Sequence, residues 1–294
     1  MLPTNEPLGQ QFRSRLSRRV SFDPATFVPA CVYHYTTAAG FEGIVRDRSI
    51  RATNFSFLND PSEVTYGLTF ARNLLDESKS SIAADKVALI DQILTFLDTA
   101  VASEVYVACF SRHEDDLSQW RAYGSGQERY AIGFDTEALD ALTPGPDAKF
   151  VRVLYEKPEQ MERVQFFLER VLKFVDDEKV PNHQWTVLAE AVAQLIAHVL
   201  PELKDEAYKN EREWRIVLRR SAKNDAREVD ASRGVLRPFL PVTFPSAPSP
   251  LPIADVRFMA PTRRDVAKKG ASMLLRKACV TDVEPTHSNI PFAD

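Results

Sequence analysis

Cysteine is scarce in this chain. Cys31, Cys109 and Cys279 are the three among 294 residues, and no two stand in a Cys-x-x-Cys spacing. An odd, unspaced set excludes a disulfide framework and fits a reducing compartment, so a cytoplasmic location is expected. Their apolar, strand-like surroundings predict small buried hydrophobes rather than metal ligands. The five histidines (His34, His113, His183, His198, His287) show neither H-x-H nor H-E-x-x-H spacing, which leaves no zinc motif. The dinucleotide fingerprint, the P-loop and the G-x-S-x-G elbow are all missing. No apolar run approaches the roughly 20 residues that a membrane helix needs. Positive charge is not in excess: the net charge is -4, so no global basic field advertises nucleic-acid binding. Arg13, Arg15, Arg18 and Arg19 cluster near the start without an apolar stretch behind them, so the segment is not a secretory signal.

What remains is an ordinary globular composition, 44% hydrophobic and 27% charged. Residues 1–27 read as an irregular basic arm, and 28–294 as a single mixed α+β domain. Strands are expected over 30–36, 50–56, 105–111, 130–135, 150–155, 212–218, 253–259 and 279–283. Helices are expected over 38–48, 81–102 and 263–277. Another opens at Asn59-Asp60-Pro61-Ser62-Glu63, where Asp60 suits an N-cap, Pro61 the first helical position and Glu63 a capping box. Val64, Leu68, Ala71 and Leu75 then repeat on one face. Two amphipathic helices over 158–199 read as an insertion. Residues 238–252 hold six prolines and read as a loop or an edge. Strands and helices interleave irregularly, which favours α+β over a doubly wound sheet.

Four groups carry chemistry. His34 and Thr36, two residues apart on a strand, share a face and offer a ring nitrogen and a hydroxyl to a sugar. Asn59 and Asp60 form the second group. Ser118-Gln119-Trp120-Arg121-Ala122-Tyr123-Gly124, after the strand Cys109-Phe110-Ser111, concentrates groups that stack on and fork around planar or anionic ligands. In Glu211-Arg212-Glu213-Trp214-Arg215, a strand puts both glutamates and Arg215 on one face and Trp214 on the other.

These blocks, with Tyr33-His34-Tyr35-Thr36, Tyr130-Ala131-Ile132-Gly133-Phe134-Asp135 and Ser288-Asn289-Ile290-Pro291, resemble the bacterial domain-of-unknown-function family 2971. A more distant likeness is to ADP-ribosyltransferases: a first strand with His-x-Thr, a helix, a second strand, and a late strand with a glutamate. That resemblance implies a split β-sheet core with helices around it, and NAD as a substrate with no metal. It implies ADP-ribose transfer to a macromolecular acceptor, protein or nucleic acid, as in a toxin or defence effector. On it His34 and Thr36 hold the ribose; Tyr66, Trp120 or Tyr123 stacks on nicotinamide; Arg121 or Arg215 neutralises the pyrophosphate; and Glu213 or Glu211 is the catalytic carboxylate. Cleavage of the nicotinamide–ribose bond builds oxocarbenium-like charge, which a nearby carboxylate stabilises. His34 is then expected to face the late glutamates across a groove. Two other readings stand beside this one: a non-catalytic module that senses a nucleotide or docks a protein, and a metal-dependent hydrolase or nuclease using Asp60, Glu211 and Glu213.

Overall fold

The computed structural model describes residues 7–17, 28–58, 62–103, 105–123, 128–144, 147–220, 228–231 and 235–291. The Asn59-Asp60-Pro61 turn and Gly124 lie outside the described residues. In chain order the elements are α1 (Leu8–Ser17), β1 (Cys31–Thr37), α2 (Ala38–Asp47), β2 (Ser49–Asn54), α3 (Ser62–Ser78), α4 (Val87–Ser103), β3 (Val105–Ser111), α5 (Leu117–Tyr123), β4 (Arg129–Asp135), α6 (Thr136–Ala141), β5 (Ala148–Arg152), α7 (Lys157–Asp177), α8 (Trp185–Val199), β6 (Glu213–Arg219), β7 (Glu228–Asp230), β8 (Arg237–Thr243), β9 (Ile253–Met259), α9 (Arg264–Lys277) and β10 (Thr286–His287). Local chemistry sets several starts. The Thr37 hydroxyl accepts the Gly40 N–H at the head of α2, and the Asp135 carboxylate accepts the Ala138 N–H at the head of α6.

Among the described residues the strands form one mixed, open sheet in the order β10-β9-β4-β1-β3-β2-β8-β7, with β6 and then β5 branching from β3. All neighbours are antiparallel except β9 and β10. β6 runs along the whole of β3. A strand has only two edges, so β1 and β2 share the other. β2 pairs with Tyr106 and Val107, whereas β1 touches β3 through the one pair Tyr33–Ser111. The sheet is therefore split beside Ala108–Phe110. In that split His34 donates Nδ1–H to the Cys109 carbonyl at 3.0 Å.

Helices cover both faces. One face carries Val32, Tyr106, Phe110, Ile132, Trp214 and Ile216 and packs against α2, α6 and α9. The other carries Val105, Val107, Val151 and Val217 beneath α1, α3, α4, α7 and α8. On that second face the helical layer stops short of β1, β4 and β9. Tyr33, Tyr35, Ala131 and Met259 make a smaller apolar group there with Trp120 of α5.

Three expectations need correction. Residues 8–17 are helical rather than irregular, because Phe12 and Leu16, a turn apart, bury in the helical layer. Residues 237–243 are a strand between β2 and β7 despite Pro238 and Pro241; the neighbouring β7 has three residues, so this is the sheet's margin. Residues 279–283 are not a strand: Cys279 takes a left-handed φ of 61° just past α9, exposed to solvent, and pairing resumes at β10. The helices α7 and α8 supply the middle of the helical layer.

Candidate functional site

Alternation along β6 puts Glu213, Arg215 and Val217 on the face of the helical layer and Trp214 and Ile216 on the opposite one. Burying Glu213 and Arg215 requires charge partners, and the chain supplies them from three elements. Arg215, fully buried, donates Nε to Glu213 Oε1 and Nη2 to Glu213 Oε2, both at 2.7 Å. The same Nη2 reaches Glu63 of α3 at 2.5 Å, and Nη1 donates to the Pro201 carbonyl at 2.8 Å. Lys204 donates to Glu213 at 3.0 Å and Glu211 at 2.6 Å, and pairs with Glu63 at 3.1 Å. Three carboxylates thus surround two cations. Burial opposes ionisation of Glu213, but Arg215 and Lys204 outweigh it and hold its carboxyl down at about 2. Glu211 behaves differently. Its side chain is 25% exposed, and burial raises its pKa while Lys204 pulls it back. It stands at the rim of the cluster, next to Arg212 in a left-handed conformation with φ 44°.

Tyr123 at the end of α5 lies within the field of Cys109 and Glu213. Burial first, then those two groups, push its hydroxyl pKa up. The Tyr155 hydroxyl accepts the Glu213 main-chain N–H at 3.1 Å. Tyr66, one turn after Glu63, donates to Gln160 at 2.8 Å, and Gln160 donates in turn to the Lys204 carbonyl at 2.8 Å. Glu211, Glu213, Arg215, Tyr123 and Tyr66 therefore gather around one cluster, together with Lys204 and Glu63. Lys204 stood outside every motif. Glu63 was legible only as half of a capping box.

His34 and Thr36 do not join them. Facing residues in an antiparallel pair share a face. Tyr33 faces Ser111, and Ser111 faces Glu213, so Tyr33 points to the glutamate side and His34 to the other. His34 faces Ile132, and its ring meets Phe110 edge-on at 5.8 Å, in the opposite core. Thr36 crowds Gly40, where any Cβ would meet its hydroxyl. The expected groove between His34 and the late glutamates is not formed. Trp120 is on the correct face but enclosed. It is 1% exposed, its ring meets Tyr35 at 4.8 Å, and its indole N–H donates to Asp115 at 2.7 Å. Asp115 also accepts the Ser288 hydroxyl at 2.6 Å and the Asn289 N–H at 2.9 Å. The Ser-Gln-Trp block thus ties the 113–117 turn to the end of the chain. Arg121 is exposed on α5. Arg215 spends four of its five N–H groups on internal partners and is fully buried, so it presents no open guanidinium edge to a pyrophosphate.

Among the described residues no three His, Cys, Asp or Glu side chains are placed to hold a metal ion. Lys204 and Arg215 occupy the space between Glu63, Glu211 and Glu213. No helix of the described residues is long and apolar enough to cross a membrane.

Residues 119–216, about a third of the chain, match the model of the family described as Protein of unknown function (DUF2971). The match runs from Gln119, before Trp120, to the strand of Glu213 and Arg215, and so spans both the aromatic block and the late glutamates. No curated protein and no solved structure matches the chain.

Proposed function

We propose that this protein binds NAD at the Glu211 rim and transfers its ADP-ribose to a macromolecular acceptor. One observation carries the reading: a carboxylate with a solvent-facing side, Glu211, sits on an ion-paired cluster beside a tyrosine, Tyr123, where a split sheet meets a late strand. In this version Glu211 meets the ribose and stabilises the positive charge that builds as nicotinamide leaves. Glu213 fixes Lys204 and Arg215, and through Lys204 it keeps Glu211 in place. Tyr123 offers the aromatic face. His34 acts from the other side of the sheet as a structural group.

A second reading, nucleotide binding without turnover, is favoured by a separate observation. His34, Trp120, Glu213 and Arg215 all have internal partners, so four of the expected ligand groups already serve the fold. Calorimetry with NAD at millimolar concentration, followed by assay of nicotinamide release, separates the two. Transfer expects both signals, with Glu211→Gln lowering release by roughly 100-fold or more while NAD still binds. Binding without release leaves only the second reading. Absence of NAD binding removes both.

A further inference from the structure

The basic residues near the start of the chain are not absorbed by the site above. α1 divides them. Arg13 turns inward and donates to Gln194 of α8, whereas Arg15 turns toward α7 and edges a groove of about 400 Å³. That volume lies within the range of small-molecule sites, roughly 300–1,000 Å³. The groove has two chemistries. Its apolar wall is Phe12, Phe166 and Phe174, with Phe12 and Phe174 edge-on at 5.3 Å. Its rim is cationic: Arg15, Arg170 and Lys173.

The cations are positioned rather than scattered. The Arg15 guanidinium lies 5.1 Å from the Phe174 ring centre and is paired with Glu178 at 2.5 Å. The Arg170 guanidinium lies 5.1 Å from the Phe166 ring centre. Each guanidinium covers an aromatic face and keeps N–H edges for an anion. Asp177 lines the groove and Glu178 stands beside it, so one positive charge remains in excess, in a chain whose net charge is -4. Aromatic walls under a cationic rim match a molecule with an apolar body and an anionic head.

We propose that the groove between α1 and α7 is a binding site for an amphiphilic anion, a carboxylate or sulfonate carried on an acyl chain or an aromatic ring. The proposal does not rest on the Glu211 site, which uses none of the residues that line the groove. The test uses the full chain and the fluorescence of 1-anilinonaphthalene-8-sulfonate. Octanoate and 1-naphthoate serve as competitors for the acyl and the aromatic sources, and octanol as the neutral control. The expected result is saturable probe binding that at least one of the two anions displaces, with octanol at least tenfold weaker than octanoate where octanoate competes. The double variant Arg170→Glu/Lys173→Glu changes half-buried and exposed positions; it should keep its melting temperature and bind the probe at least tenfold more weakly. Arg170→Gln/Lys173→Gln should fall between it and the parent. No saturable binding, no displacement by either anion, octanol competing as well as octanoate, or equal probe binding by the folded double variant would each overturn the proposal.

Discussion

Arg215 shows how much one side chain is asked to do. It neutralises Glu63 and Glu213 while fully buried, and it satisfies the Pro201 carbonyl as well. Removing one partner of such a network strands the others without water, a cost of about 3–5 kcal/mol. Arg215→Ala is therefore expected to lose about that much in chemical denaturation. His198 sets a different dependence. Burial, then Lys149 and Arg219, hold its pKa well below 6.5, and its Nε2 has no hydrogen-bond partner among the described residues. Below pH 6.5 the unfolded chain takes up a proton that the folded chain refuses, so His198 costs stability as the pH falls. His198→Gln should flatten the decline in unfolding free energy between pH 6.5 and 5. An unchanged slope would assign the decline to other groups. Glu213 acts lower. Its contribution is complete above the usual carboxylate value of 4.5 and disappears as the pH drops toward about 2.

At the scale of elements, α1 and β8 are instructive. Ten residues are too few for a helix to persist alone in water, so α1 stands by what it buries. Phe12, 2% exposed, carries that attachment together with Leu16. Phe12→Ala should cost about 3–5 kcal/mol and should show first as faster amide exchange in α1. Unchanged protection there would mean that the helix is held by other contacts. The sequence hid this element because Arg13, Arg15 and polar residues dominate its ten positions and only Leu8, Phe12 and Leu16 mark its inner face. β8 was hidden by its prolines. Proline lowers the expectation of a strand wherever it occurs, yet at a sheet margin a missing N–H does little harm. The caps at Thr37 and Asp135 were not read from the sequence, although each is a contact between residues three apart.

The whole molecule decides the site. The pairing of β1, β3 and β6 decides which candidate residues share a face, and the Tyr33–Ser111 and Ser111–Glu213 pairs fix that parity. A shift by one residue would exchange every side chain between the two faces. With this register His34 belongs to the core beneath α2, at the split, holding the Cys109 carbonyl. His34→Ala should therefore lose about 1–3 kcal/mol of stability. Nicotinamide release per folded molecule should stay within a few-fold of the parent; a fall of 100-fold would return His34 to the ligand.

The sequence by itself determined most strands and helices, the mixed α+β class, and the sharing of one strand face by Glu213 and Arg215. Those follow from periods of 2.0 and 3.6 residues, which are properties of neighbouring residues. Glu211 reaches the same cluster from a 3-10 turn ahead of the strand. The tertiary structure alone decided that Lys204 and Glu63 complete the charge cluster, that Trp120 is enclosed, and that His34 lies across the sheet from the glutamates. Alternation states that successive side chains point to opposite sides. Which side meets which layer depends on pairing between strands far apart in the chain, and on where buried charges find partners.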